Sequence, residues 1–122
     1  MEAPQNAILD EVTRRLVDEF DPEQLILFGS QAWGVPDDGS DLDLLVIVAQ
    51  SNQAPYQRAV RAQRALGNLL VSVDVFVKTR DEFNRFAHIP ASLEHLILTR
   101  GKVIYGRSQE IARSELAYQS AA

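Results

Sequence analysis

Leu27 to Val48 reads LFGSQAWGVPDDGSDLDLLVIV. An apolar run closes in Gly29-Ser30, ten residues follow, and Asp41 and Asp43 then open a second apolar run with one residue between them. Successive strand residues point to opposite faces, so Asp41 and Asp43 share one face at the start of that run. Two carboxylates placed there are costly unless something positive lies between them. Gly29 permits a sharp turn after the first run. A helix beginning at Ser30 would aim its hydroxyl and nearby N–H groups at an anion.

The surrounding chain suits one domain. It has 122 residues, 46% of them hydrophobic and 24% charged, enough for a core in a soluble protein. No apolar run approaches membrane-spanning length and no charged-then-apolar leader opens the chain, so a cytoplasmic protein away from membranes is expected. Cysteine is absent, which excludes disulfides and thiolate metal sites. The net charge of −5 argues against direct nucleic-acid binding, which calls for a basic surface.

Ile8, Val12, Leu16 and Phe20 recur every four residues and predict a helix over about 5–20, stopped by Asp21-Pro22. Residues 24–29 read as a buried strand and 42–49 as a second, apolar on both faces and so central. Residues 56–70 read as a helix with Tyr56, Val60, Leu66 and Leu70 on one face, and 71–77, VSVDVFV, as a third strand. Thr79 would cap a short helix through Phe86, with Asp81 and Glu82 in its first turn. Residues 90–100 read as a last helix with Leu93, Leu96 and Ile97 inward and Gly101 ending it; 103–105 is a candidate edge strand. The expected class is α/β (α+β), a small mixed sheet of about three to four strands flanked by helices. The domain would span 1–106, followed by a tail, 107–122, that is helical, partner-binding or frayed.

Asp74 interrupts VSVDVFV, and strand interiors are depleted in Asp. If the second and third strands are neighbours, Asp74 converges with Asp41 and Asp43. Hard oxygen ligands with no His or Cys beside them favour Mg²⁺ or Mn²⁺ over Zn²⁺. Two such ions, roughly 3.5–4 Å apart, are the usual apparatus for in-line displacement at phosphorus.

Gly29-Ser30, ten residues, Asp41-Leu42-Asp43 and the downstream Asp74 together resemble the nucleotidyltransferase superfamily of DNA polymerase β, above all its minimal members, over about residues 8–106. The resemblance implies the nucleotidyltransferase fold, ATP as substrate and two Mg²⁺ ions. Gly29 and Ser30 would hold the β- and γ-phosphates. Asp41 and Asp43 would bind both metals, and Asp74 would bind the metal at the nucleophile and help deprotonate the attacking hydroxyl. Ser40, just before the acidic pair, would orient Asp41 or the triphosphate, or serve as a plain loop serine. Where many relatives carry Arg, this chain has Gln31, which neutralises less triphosphate charge.

Larger members add a helical domain for the acceptor, and 122 residues leave no room for one. Small chains of this look resemble MntA-type antitoxins, which transfer AMP from ATP to a tyrosine of a helical HEPN-domain toxin. The resemblance therefore implies an antitoxin with a HEPN-type partner, as a homodimer or hetero-oligomer. The alternatives are transfer to a small-molecule hydroxyl such as an antibiotic, and a non-catalytic antitoxin that covers its partner. Trp33 is read as a structural plug, or as a base- or partner-contacting residue; Gly34 as a turn glycine; Asp37 and Asp38 as loop solubilisers. Arg58, Arg61 and Arg64 read as a solvated face, with a partner or phosphate role as the alternative. His88 and His95 read as non-catalytic.

Overall fold

The computed structural model describes residues 3–29, 42–69 and 72–106, with side chains from residue 7 onward. Helix α1 (Ala3–Phe20) is followed by strands β1 (Gln24–Phe28) and β2 (Leu42–Val48). Helix α2 (Pro55–Leu66), strand β3 (Val73–Thr79), helices α3 (Arg80–Ala87) and α4 (Leu93–Arg100) and strand β4 (Lys102–Tyr105) complete the described chain. The sheet order is β3-β2-β1-β4. β1 runs antiparallel to β2 and to β4, and β2 runs parallel to β3. The expected mixed sheet thus has four strands, with 103–105 forming most of its edge strand. β2 is interior, as its two-sided apolar pattern required.

Strand alternation sorts the side chains into two cores. Leu25, Leu27, Leu44, Val46, Val73, Val75 and Val77 face one way and pack with Val12 and Leu16 of α1 and Ala62 and Leu66 of α2. Ile26, Phe28, Leu45 and Ile47 face the other way, against Phe83 and Ala87 of α3 and Ile97 of α4. Helix α1 buries the i, i+4 stripe read from the sequence, with Val12 and Leu16 fully covered. It ends at Asp21, whose φ of 46° lies in the left-handed region that Asp tolerates better than most residues. The Asp21 N–H donates to the Val17 carbonyl at 2.9 Å.

The inward face of α2 differs from the expectation. Tyr56 and Val60 are exposed, and the buried positions are Arg58, Ala62 and Leu66. Arg58 displaces the apolar residues because its guanidinium has partners inside: the Glu82 carboxylate at 2.7 and 3.1 Å and the Val77 carbonyl at 3.2 Å. Its Nε also donates to the Gln53 carbonyl at 3.1 Å. The helix stops at Leu66-Gly67, short of Leu70, which lies outside the described residues.

Thr79 caps α3 as expected: its hydroxyl accepts from the Glu82 N–H at 3.1 Å, while the Glu82 carboxylate accepts from the Thr79 N–H at 2.9 Å. Helix α4 starts later than expected, capped by Ser92, whose hydroxyl accepts from the His95 N–H at 2.9 Å. Leu93, read as inward, is exposed, while Ile97 is buried. Leu93 stands in the first turn, directly after the Ser92 cap. Gly101 does end α4, but with extended backbone; a Cβ there would stand 2.6 Å from the Ile26 Cγ2 and the Ile97 carbonyl. The glycine is needed for close approach to β1. The candidate tail, 107–122, lies outside the described residues.

Candidate active site

The register places side chains in rows across the face that carries α3 and α4. Phe28 pairs with Asp43, and Asp43 pairs with Asp74. One step along, Ile26 pairs with Leu45 and Leu45 with Phe76; then come Gln24, Ile47 and Lys78. Neighbouring strands lie about 4.8 Å apart, so the Asp43 and Asp74 side chains leave adjacent strands side by side on one face. Two anions about 5 Å apart repel by about 1 kcal/mol even in water, and by more where water is partly excluded. Asp43 is half-buried and Asp74 exposed.

Gly29 closes this row on the β1 side. Its φ is +81°, and a Cβ built there would overlap the Asp43 carboxylate, standing 3.1 Å from its Cγ. The carboxylate therefore occupies the space that any other residue at 29 would need. A turn after β1 favours glycine at 29; the fold adds that only glycine lets the Asp43 side chain stand where it does. Gly29, Asp43 and Asp74 are brought together from three strand ends. Ser30, Ser40 and Asp41 lie outside the described residues, as do Gln31, Trp33, Gly34, Asp37 and Asp38.

The donor set fits a hard divalent cation: two carboxylates in register, with no His or Cys in their row. Among the described residues no group of three or more His, Asp or Glu is placed to hold a metal, so the described site contributes a pair. Lys78, on the same face two rows away, pairs with Glu94 at 3.0 Å.

The arginine series separates. Arg58 is buried in the ion pair with Glu82, whose carboxyl is held down to about 2, chiefly by the hydrogen bonds from Arg58. Arg61 bonds Glu19 at 2.6 Å and lies 4.5 Å over the Phe20 ring. Arg64 stays exposed. All three belong to the α1–α2 side of the sheet, opposite the carboxylates. His95 Nδ1 lies 2.8 Å from the Ala87 carbonyl and ties α4 to α3, and His88 is the exposed C-cap of α3.

One neighbour of the carboxylates escaped the sequence reading. Phe76 shares the strand and face of Asp74, is 44% exposed, and packs on Phe28 with ring centroids 5.8 Å apart and planes tilted by 49°. Its two-residue offset from Asp74 is visible in VDVFV; that its ring is left uncovered is not.

The Polymerase beta, Nucleotidyltransferase family matches residues 10–110. Among solved structures the chain is similar to a Sulfolobus solfataricus protein assigned as a nucleotidyltransferase, with 20% identity, a TM-score of 0.60, and coverage of 83% of this chain and 79% of that one. It is similar to a toxin–antitoxin structure containing AMP-PNP, with 22% identity, a TM-score of 0.55, and coverage of 92% and 86%. The MntA–HpeT toxin–antitoxin, in a mutant with two Asp-to-Glu changes, gives 20% identity, a TM-score of 0.54 and the same 92% and 86% coverage. No curated protein matches. Likenesses at this identity establish the fold. Among the described residues no helix is long and apolar enough to cross a membrane.

Proposed function

Because this chain belongs to the Polymerase beta nucleotidyltransferase family, we propose that it transfers AMP from ATP to a hydroxyl of a separate partner protein. The acceptor in this reading is a tyrosine of a helical HEPN-type toxin, and the chain is its cytoplasmic antitoxin. The observation that carries the reading is the register pairing of Asp43 with Asp74 beside a left-handed Gly29. The similarity to two toxin–antitoxin structures, one holding an ATP analogue, supports the partner and the nucleotide.

In this reading Gly29, with Ser30 and Ser40, binds the triphosphate. Asp43 and Asp74, with Asp41, hold Mg²⁺, or Mn²⁺ in its place. The bound cation supplies charge neutralisation for the triphosphate and the leaving pyrophosphate. Asp74, the more exposed of the described pair, faces the acceptor and takes up its hydroxyl proton. The acceptor oxygen forms a bond to the α-phosphorus. The bond from that phosphorus to the bridging oxygen breaks, and its electron pair leaves with pyrophosphate. Positioning and charge do most of the work, since the protein forms no covalent bond to the nucleotide. Residues 1–106 form the catalytic domain in this reading.

The test incubates the protein with α-labelled ATP, Mg²⁺ and a helical toxin encoded beside it. Label on a toxin tyrosine is expected, and its loss in Asp43→Asn and Asp74→Asn with folding intact. Asp74→Asn should melt no lower than wild type without Mg²⁺, because Asp74 is exposed and one of two like charges in register is removed. Neutralisation that survives both changes would replace this reading with a steric antitoxin. Label on small molecules alone would replace it with small-molecule transfer.

A further inference from the structure

Phe76 is an aromatic ring left open to solvent beside two carboxylates, and the fold makes a point of holding it there. Phe28 and Phe76 stand on β1 and β3, the two strands that flank β2. Those strands lie about 10 Å apart, yet the ring centroids are 5.8 Å apart. Both rings therefore lean over β2, between the row of Asp43 and the row of Leu45. Phe28 is buried beneath, at 6% exposure, whereas Phe76 is 44% exposed. The contact anchors Phe76 from one side and leaves the rest of the ring available. Burial alone accounts for Phe28 and not for Phe76, because the β3 positions on the other face, Val73, Val75 and Val77, are all covered.

The lateral order of the site tells what Phe76 meets. Gly29 lies at the β1 edge, Asp43 in the middle and Asp74 at the β3 edge. In the reading above, on which this inference rests, triphosphate takes the Gly29 side and the acceptor hydroxyl the Asp74 side. Phe76 is on the acceptor's strand, one register step from Asp74. We propose that Phe76 is the acceptor platform, packing against the ring of a tyrosine on the partner protein while Asp74 receives its hydroxyl. A phenol meets both requirements, an apolar face for Phe76 and a hydroxyl at its far end for Asp74. A rigid phenol spans the register step of about 7 Å between Phe76 and Asp74, which the short side chain of serine or threonine does not.

The probe is N-acetyl-tyrosinamide, titrated into ¹⁵N-labelled protein with Mg²⁺ and AMP-PNP and followed by amide shifts. N-acetyl-leucinamide is the control. The tyrosine probe should shift Phe76 and Asp74 and bind more tightly than the leucine probe. Phe76→Leu should weaken the tyrosine probe by about two- to tenfold, the range of an aromatic pair, and Phe76→Trp should retain it, with equal melting temperatures. The platform is refuted if the tyrosine probe leaves Phe76 unmoved, if leucinamide binds as well, or if Phe76→Leu binds as wild type. It is equally refuted if Phe76→Leu weakens AMP-PNP itself, which would make the ring a base contact. The Gly29 shift with Mg²⁺ and AMP-PNP reports the nucleotide site separately; its absence would sink the transfer reading while leaving the probe result readable.

Discussion

Replacing Glu82 by Gln removes one charge from the contact that joins α2 to α3 and should cost stability in a pH-dependent way. Glu82 accepts from Arg58 at 2.7 and 3.1 Å and from the Thr79 N–H at 2.9 Å. Its carboxyl is held down from an ordinary 4.5 to about 2, first by the Arg58 hydrogen bonds and then, against the opposing effect of burial, by the Thr79 N–H and the charges of Arg58 and Lys78. At 1.36 kcal/mol per pH unit that lowering corresponds to about 3 kcal/mol. The Glu82 side chain is 34% exposed, so solvent screening reduces the useful figure to about 2 kcal/mol. The folded value is depressed, so the contribution is complete above the unfolded value near 4.5 and is lost as pH falls toward 2. By linkage about two-fifths of it remains at pH 3. Glu82→Gln keeps the Thr79 cap and does not titrate, so the wild-type-minus-variant difference isolates this one group. Urea unfolding should give a gap of about 2 kcal/mol at pH 7 and less than half of that at pH 3. A gap that stays constant between the two pH values would refute the assignment of the lowered carboxyl to Arg58.

Gly29→Ala should abolish nucleotidyl transfer while costing about 1–2 kcal/mol for a left-handed L-residue, because the new Cβ displaces the Asp43 carboxylate. Wild-type activity in that variant, measured by label transfer, would contradict the close approach. Phe83→Ala should cost about 3–5 kcal/mol in urea unfolding, because the ring is 1% exposed between the sheet and α3.

The amphipathic stripe of α1, the two-sided apolar run of β2 and the Thr79–Glu82 cap were legible in the sequence, because each is a local pattern of period 3.6, period 2 or fixed offset. The acidic residues were legible as anomalies: Asp74 in a β-branched run needs a reason wherever the run goes. The inward face of α2 was not. Tyr56 and Val60 are the more apolar residues, but Arg58 is the one with a carboxylate and two carbonyls waiting inside. A helix read alone cannot know that a partner 24 residues downstream will make a buried guanidinium cheaper than a buried valine. Leu93 failed for another reason: it shares the helical face of Ile97 but stands in the first turn, directly after the Ser92 cap, where it is exposed.

The sequence by itself determined the fold class, the order of elements and which residues are candidates for the proposed chemistry, because turn glycines, alternation and misplaced acids are properties of neighbours along the chain. Tertiary structure alone decided that β2 and β3 run parallel with Asp43 opposite Asp74, since register depends on strand pairing across 31 residues, the difference between positions 43 and 74. It also decided that Gly29 must be glycine for the sake of Asp43, and that Phe28 holds Phe76 open beside the acids. Those are contacts between strands, and only the folded sheet brings their side chains within reach of one another.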